Sequence, residues 1–125
     1  MTKITFIGAG STVFAKNVLG DILLTPAFGD AEIALYDIDK KRLQDSFQML
    51  YNIKEHYQCK TEIMVYHDRR EALKDASYVI NAAQIGGFEP CGVRDLELPR
   101  DRYGLRQTVG DTLGIGGIFR GLRTI

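Results

Sequence analysis

The stretch that decides the fold is "KITFIGAGSTVF", residues 3–14. Its first half is a short, β-rich apolar run that ends at Gly8, which predicts a buried strand. After the glycines, apolar side chains recur at helical spacing over residues 11–25, and Pro26 stops the pattern. The stretch therefore predicts a strand and a helix joined by a glycine turn.

The same alternation continues along the chain. Strands are predicted at 31–37, 61–67 and 76–83, and a short helix at 69–74. Asp39 is predicted to cap a longer helix, whose apolar face is Leu43, Phe47, Leu50, Ile53 and Tyr57. A further helix near 91–98, a break at Pro99 and a polar loop follow. Because strands that alternate with helices form right-handed βαβ units, the sequence predicts one α/β domain with a Rossmann-like, doubly wound, mostly parallel sheet.

The glycine turn has the spacing of a dinucleotide-binding fingerprint. Gly8 permits a tight turn, Gly10 lets the backbone approach a pyrophosphate, and the N-terminus of the helix supplies N–H donors. Val13 stands where the third glycine of the fingerprint would be, which predicts a slightly wider separation of helix and strand. Since a strand precedes the turn and a helix follows it, the sequence predicts a dinucleotide site at the carboxyl ends of the strands.

An acidic residue at the end of the second strand is the other half of the fingerprint. Asp37 has this place, farther from Gly10 than the usual distance of about 20 residues. Its carboxylate would accept hydrogen bonds from ribose hydroxyls and repel a 2′-phosphate, which favours NAD over NADP. The alternative is that Asp37 only caps the strand end beside Asp39.

The composition excludes several classes of partner. The 16 basic side chains balance 16 acidic ones, whereas a general binder of nucleic acids or anionic membranes needs a basic excess. The arginines at 94, 100, 102 and 106 form either a solvated face or one that faces an anion. No apolar run has the length of a signal peptide or a membrane span. The spacing of Cys59 and Cys91 is typical of neither a metal site nor a disulfide framework, so both are predicted to be free thiols. We therefore predict a soluble, cytoplasmic protein with no nucleic-acid or membrane partner.

Five segments are more specific than the fold: "FIGAGSTVF" (6–14), "LYDIDKKR" (35–42), "NAAQIGGFEP" (81–90), "LPRDRYG" (98–104) and "QTVGDTLGIGGIFRGLRTI" (107–125). With these segments in order, the chain resembles the N-terminal part of glycoside hydrolase family 4, and most of all its α-galactosidase (melibiase-type) branch. The resemblance implies that residues 1–125 are the NAD-binding domain of a longer enzyme, truncated at its C-terminal end. The domain that holds substrate and metal is expected beyond Ile125.

The family implies an unusual hydrolysis, which uses NAD+ and a divalent metal, usually Mn²⁺, instead of two carboxylates alone. The implied substrate is a small α-glycoside. NAD+ takes a hydride from sugar carbon 3, a base removes the carbon-2 proton that the new ketone acidifies, and the aglycone leaves; water then adds and the hydride returns. The metal ligands and the base are expected outside these residues. We therefore expect this portion alone to be inactive, and the full-length enzyme to be a homo-oligomer.

The resemblance also assigns roles to individual residues. It implies that NAD is bound by residues of the first turn and of the second strand end: Gly8, Gly10, Ser11 and Asp37. It implies that Asn81, after the fourth strand, contacts the nicotinamide side of the cofactor, with Gln84 close to it. The alternative for Asn81 is a hydrogen bond to exposed backbone at the strand end.

The last segment supplies the residues for the sugar. Asp111 matches an acidic position near the substrate, where phospho-glucoside members tend to have glutamate, so it would bind sugar hydroxyls or protonate the leaving group. The alternative is a turn aspartate. Arg120 would reach the substrate or remain solvated. Ile115 stands where many members have proline, which makes this turn less rigid.

Two other functions are compatible with the first turn. A lactate/malate-type NAD-dependent dehydrogenase would explain Gly8, Gly10 and Asp37, but not the segment 104–125. A non-catalytic NAD-binding module would need only these 125 residues, although the last predicted helix has no ending signal.

Overall fold

The computed structural model describes residues 1–84, 86, 89–106, 115, 118 and 121–122. The chain divides into two compact units, Met1–Ala83 and Gln84–Ile125. The helices and strands of the first unit are β1 (Lys3–Ile7), α1 (Thr12–Leu24), β2 (Glu32–Tyr36), α2 (Lys40–Tyr57), β3 (Glu62–Tyr66), α3 (Arg69–Leu73) and β4 (Tyr78–Asn81), with a 3₁₀ turn at Pro26–Phe28. The second unit contains a π-helix, Glu89–Arg94, and α4 (Asp95–Tyr103).

The four strands form one parallel sheet in the order β3-β2-β1-β4. Phe6 of β1 is in register with Leu35 of β2 on one side and Ile80 of β4 on the other. This order is the first part of the 3-2-1-4-5-6 order of dinucleotide-binding sheets. The predicted α/β, Rossmann-like fold is confirmed, and the reversal of strand order lies between β1 and β4.

The main core fills one face of this sheet. Phe6, Ile33, Leu35 and Ile63 of the strands pack with buried side chains of the two long helices: Ala15, Leu19 and Leu23 of α1, and Leu43 and Leu50 of α2. Each large side chain buried in this way contributes about 1.5–3 kcal/mol relative to an exposed one. The core therefore fixes α1 and α2 on the same face, and with them the two ends of the glycine turn.

The apolar face predicted for α2 is correct except at its last residue. Asp39 caps the helix as expected, since its side chain accepts hydrogen bonds from the N–H groups of Lys41 and Arg42. Tyr57, however, is 58% exposed. At about 1.5 Å per residue, the 18 residues of α2 are about 10 Å longer than a five-residue strand. The last turn therefore extends past the sheet, where no strand is left to cover Tyr57.

The short helix α3 packs on the opposite face of the sheet over Thr5, so the sheet has helices on both sides, as a doubly wound fold requires. It covers only part of this face, since Met64 and Val79 remain 47% and 51% exposed. The hydroxyl of Thr5 donates to the carbonyl of Ala72 over 2.7 Å. Lys3, also in β1, extends its ammonium to the carbonyls of Glu71 at 3.3 Å and Lys74 at 3.0 Å. A cation beside the carbonyl groups at the C-terminal end of a helix interacts favourably with the helix dipole.

The predicted helix near 91–98 is present, as the π-helix and the first part of α4, but the predicted break at Pro99 was wrong, because α4 continues to Tyr103. The fixed φ of proline is compatible with a helix, although Pro99 lies inside α4 and supplies no N–H to the helix. Pro99 is buried. The helix ends instead at Gly104, which has a φ of 63° and donates its N–H to the carbonyl of Arg100.

The four arginines at 94, 100, 102 and 106 are all exposed. Arg94 pairs with Glu89 at 2.8 Å, and Arg100 pairs with Asp101 at 2.7 Å.

Cys59 is a free thiol that packs at the edge of the core. No helix within the described ranges combines the length and the apolar character that crossing a bilayer needs.

Candidate functional site

The glycine turn lies where β1, β2 and β4 end together. The N–H groups of Gly8 and Ala9 both donate to the carbonyl of Tyr36 over 3.0 Å, which ties the turn to the end of β2. Gly8 has a φ of +87°, and a Cβ at this position would lie 2.6 Å from the carbonyl oxygen of Ala82. Only glycine can therefore make this turn without moving the backbone after β4.

The second glycine contacts the predicted acid directly. The N–H of Gly10 donates to Oδ2 of Asp37 over 2.7 Å, and the N–H of Asp39 donates to Oδ1 over 2.8 Å. Asp37 thus does cap the strand end, which was the alternative interpretation, and it also holds the glycine turn. Each carboxylate oxygen has a second lone pair, so the carboxylate retains capacity to accept from a ligand.

The N-terminus of α1 differs from those of α2 and α3. Asp39 and Asp68 cap α2 and α3 with side-chain acceptors, whereas Ser11 makes no side-chain cap to α1. Val13, in the first turn of α1, is 73% exposed. Its side chain does not lie between the helix and the sheet, so the reason for expecting a wider separation does not hold. Among the described residues, no side chain accepts a hydrogen bond from the first N–H groups of α1, which follow the glycine turn directly.

The fourth strand brings Asn81 to the same edge of the sheet. Oδ1 of Asn81 accepts the N–H of Ala83 over 3.1 Å, which is the backbone contact considered as the alternative. That contact uses the carbonyl half of the amide, so the Nδ2 donors remain available in the exposed side chain. Gln84 begins the second unit, and its side chain is also exposed.

The residues predicted to contact the sugar, Asp111 and Arg120, lie outside the described residues, so the structure gives no geometry for them. For a metal, no group of three or more His, Cys, Asp or Glu side chains comes together in the described part of the chain. The described residues therefore do not fit a manganese site by themselves.

Sequence reasoning missed two residues beside Asp37. Ile38 follows the acid and is 89% exposed, which is unusual for a large apolar side chain. Arg42 in the first turn of α2 approaches the glycine turn, since a Cβ on Gly10 would lie 3.0 Å from the Cβ of Arg42. The available signal was the segment 35–42 itself, which contains both residues together with the acid.

Comparison with known proteins identifies the family of the chain. The model of family 4 glycosyl hydrolases matches residues 3–125. The chain is 63% identical over its whole length to an α-galactosidase of Bacillus subtilis (strain 168), of which it covers 29%. Over 98% of its length it is 40% identical to an α-galactosidase of Rhizobium meliloti (strain 1021), of which it covers 25%.

Among solved structures, a 6-phospho-β-glucosidase of Thermotoga maritima with manganese, NAD+ and glucose-6-phosphate matches with a TM-score of 0.71 and 26% identity, over 98% of this chain and 28% of that one. The chain thus spans less than a third of the length of these relatives. The family match covers the segment 104–125, which a lactate/malate-type dehydrogenase left unexplained. The chain belongs to glycosyl hydrolase family 4.

Proposed function

We propose that this chain is the NAD-binding domain of an α-galactosidase-like glycosidase that depends on NAD+ and Mn²⁺. The observation that carries the proposal is the 2.7 Å hydrogen bond between Gly10 and Asp37 beside the uncapped start of α1. This hydrogen bond places the acid at the end of β2 beside the glycine turn and the start of α1, which is the arrangement that a dinucleotide site needs. The supporting comparison is the identity of 63% with the B. subtilis α-galactosidase.

The cofactor's two phosphates would be bound by the glycine turn. Because Gly8 and Gly10 have no side chains, the turn packs closely against Ala82, Asp37 and Arg42, and a pyrophosphate would approach its backbone from the side of α1. The N–H groups that Ser11 leaves without a side-chain acceptor at the start of α1 would donate to it, aided by the positive end of the helix dipole. Together these groups would hold the middle of the cofactor above the carboxyl end of β1.

The two ends of the cofactor would be held on either side of this turn. Asp37 would accept from the adenosine ribose hydroxyls with its remaining lone pairs, and the exposed Ile38 would offer apolar contact to the adenine ring. On the other side of β1, the Nδ2 donors of Asn81 would bind a hydroxyl or amide oxygen of the nicotinamide half. Ala83 orients that amide by donating to Oδ1. We propose separately that Gln84, whose side chain is exposed, contacts the cofactor.

The bound NAD+ would supply a reversible hydride acceptor for sugar carbon 3. This chain's own residues would act by fixing the nicotinamide side of the cofactor above the end of β4 and by excluding other cofactors through the charge of Asp37. We propose that the Mn²⁺ ligands and the catalytic base lie outside residues 1–125, as the family resemblance implies. The T. maritima relative was crystallised with manganese and NAD+, which supports the same pair of cofactors here.

For the sugar, we propose that Asp111 protonates the leaving group or binds sugar hydroxyls and that Arg120 contacts the substrate. Loss of a general acid lowers kcat by about 10²–10⁴-fold. Asp111→Asn in the full-length protein should therefore lower kcat, with recovery on substrates that have good leaving groups. A rise in KM alone would reassign Asp111 to substrate binding.

We propose further that the full-length protein is a cytoplasmic homo-oligomer. Light scattering of the purified protein measures the assembly, and fractionation of cells that express it measures the location. A monomer, or a protein recovered outside the cytoplasm, would contradict the respective proposal.

The function itself is tested by cofactor omission. Full-length protein stripped of nucleotide and metal should hydrolyse an aryl α-galactoside only after both NAD+ and Mn²⁺ are restored. Hydrolysis that persists without nucleotide would contradict the proposal, because a displacement mechanism has no use for NAD+.

A further inference from the structure

The position of Arg42 adds a second charged group to the proposed ribose site. A Cβ on Gly10 would lie 2.8 Å from Oδ2 of Asp37 and 3.0 Å from the Cβ of Arg42. The carboxylate and the arginine stem thus pack against the same side of Gly10 and lie next to each other. A ribose that binds to the remaining lone pairs of Asp37 would therefore lie close to the side chain of Arg42.

The guanidinium of Arg42 is available to a ligand. The main-chain N–H of Arg42 donates to Oδ1 of Asp39 over 3.1 Å, but its side chain is exposed. Within the described part of the chain, that side chain forms no ion pair, since the pairs there are Lys3–Glu32, Arg94–Glu89 and Arg100–Asp101. None of these ion pairs joins Arg42 to Asp37, whose two oxygens accept the N–H groups of Gly10 and Asp39.

The two charges favour opposite cofactors. A carboxylate accepts hydrogen bonds from a 2′-hydroxyl and repels a 2′-phosphate, whereas a guanidinium binds a phosphate with two parallel hydrogen bonds. With the carboxylate removed, the exposed arginine beside it would be available to a 2′-phosphate.

We propose that Arg42 is a second determinant of cofactor choice: it forms a latent 2′-phosphate site that Asp37 suppresses. The proposal rests on the proposed binding of NAD+. It implies that loss of the Asp37 carboxylate changes the preferred cofactor towards NADP+ instead of only weakening NAD+.

The test is calorimetric titration of the full-length protein with NAD+ and with NADP+. Asp37→Ser should raise the affinity ratio of NADP+ to NAD+ by at least about tenfold. Adding Arg42→Gln should remove this gain, because a charge-assisted phosphate contact is worth about 10- to 150-fold. The control is Asp37→Ser with Lys41→Gln, which removes the same charge one residue away in the same helical turn and should keep most of the gain.

Arg42→Gln alone covers the case in which Asp37→Ser does not fold. In the otherwise unchanged protein, it should weaken adenosine 2′,5′-bisphosphate at least about fivefold more than it weakens NAD+. Equal weakening of both ligands, or equal losses from Arg42→Gln and Lys41→Gln, would overturn the role of Arg42. Wild-type protein that binds neither nucleotide would overturn the proposed function as well, so the two failures are distinguishable.

Discussion

The main-chain N–H of Gly10, in the turn between β1 and α1, donates a 2.7 Å hydrogen bond to Oδ2 of Asp37, which directly follows β2. Asp37 therefore has a structural role, because this hydrogen bond holds the glycine turn, in addition to its proposed contact with the ribose. A substitution of Asp37 therefore affects both the turn and the ligand, and the two effects have to be measured separately.

Asp37→Ala should weaken NAD+ by about 10- to 150-fold, because each hydrogen bond to a charged group is worth about 1.5–3 kcal/mol. Asp37→Asn keeps one oxygen acceptor and removes the charge, so it should weaken NAD+ less and reduce the discrimination against NADP+. Calorimetric titration of the full-length protein measures both affinities. Asp45→Asn, an exposed acid on α2, is the control that should leave both affinities unchanged. Equal effects at positions 37 and 45 would remove Asp37 from the ribose site.

Gly8→Ala should destabilise the protein by at least about 2 kcal/mol. At a φ of +87°, alanine has a left-handed backbone strain of about 1–2 kcal/mol. Its Cβ would also lie 2.6 Å from the carbonyl oxygen of Ala82, which adds the cost of overpacking. Gly20→Ala is the matched control, because a Cβ there meets nothing within 4 Å. In the helix α1 it should stabilise by about 0.5–1 kcal/mol. Urea unfolding measures both, and a neutral Gly8→Ala would contradict the tight turn.

Two variants of Asn81 can separate its hydrogen bond to the backbone from its proposed contact with NAD+. Asn81→Asp retains an oxygen that accepts the N–H of Ala83 but loses the Nδ2 donors, whereas Asn81→Ala loses both. If Nδ2 serves the cofactor, both variants should weaken NAD+ by about fivefold or more, and only Asn81→Ala should also lower the free energy of unfolding by about 1 kcal/mol. Unchanged NAD+ affinity in Asn81→Asp would restrict Asn81 to the backbone contact.

The stability of the first unit should depend on alkaline pH through Tyr66. Its hydroxyl donates to Oε1 of Glu32 over 2.8 Å, and this hydrogen bond, with partial burial, raises the pKa of Tyr66 above its ordinary value of 10.0. Since the folded state holds the proton more tightly, the stabilisation is fully present below about pH 10 and is lost as the pH rises through 10 to the raised folded pKa.

Tyr66→Phe removes the titrating hydroxyl, so the deficit of this variant in unfolding free energy relative to wild type should shrink as the pH rises above about 10. The control is Tyr57→Phe at the exposed end of α2. Urea unfolding at a series of pH values measures the difference. A deficit that stays constant over this range would mean that the proton of Tyr66 is bound equally in both states.

Local sequence was sufficient for the parts of the fold that depend on local chemistry. The run before Gly8 formed a strand, and Asp39 capped a helix, because alternation, glycine conformations and side-chain caps act over a few residues. Asp37 was found from its place after a strand. Pro99 was misinterpreted because burial and the later cap at Gly104 allowed the helix to continue.

Contacts that depend on the tertiary fold could not be predicted in the same way. The approach of Arg42 to Gly10 requires the relative placement of α2 and the glycine turn, which the packing of α1 on α2 determines. The exposure of Tyr57 depends on where the sheet ends. Asp111 and Arg120 remain predictions from the family resemblance.

The most direct test of the central claim is the position of deuterium in the product sugar. Full-length protein should cleave an aryl α-galactoside in D₂O with NAD+ and Mn²⁺ present, and the released sugar is analysed by proton NMR. If the dinucleotide bound at Gly8, Gly10 and Asp37 oxidises carbon 3, a base must remove the carbon-2 proton, and deuterium from solvent will replace it. Product sugar that carries only hydrogen at carbon 2, from an enzyme that still requires NAD+, would contradict the account.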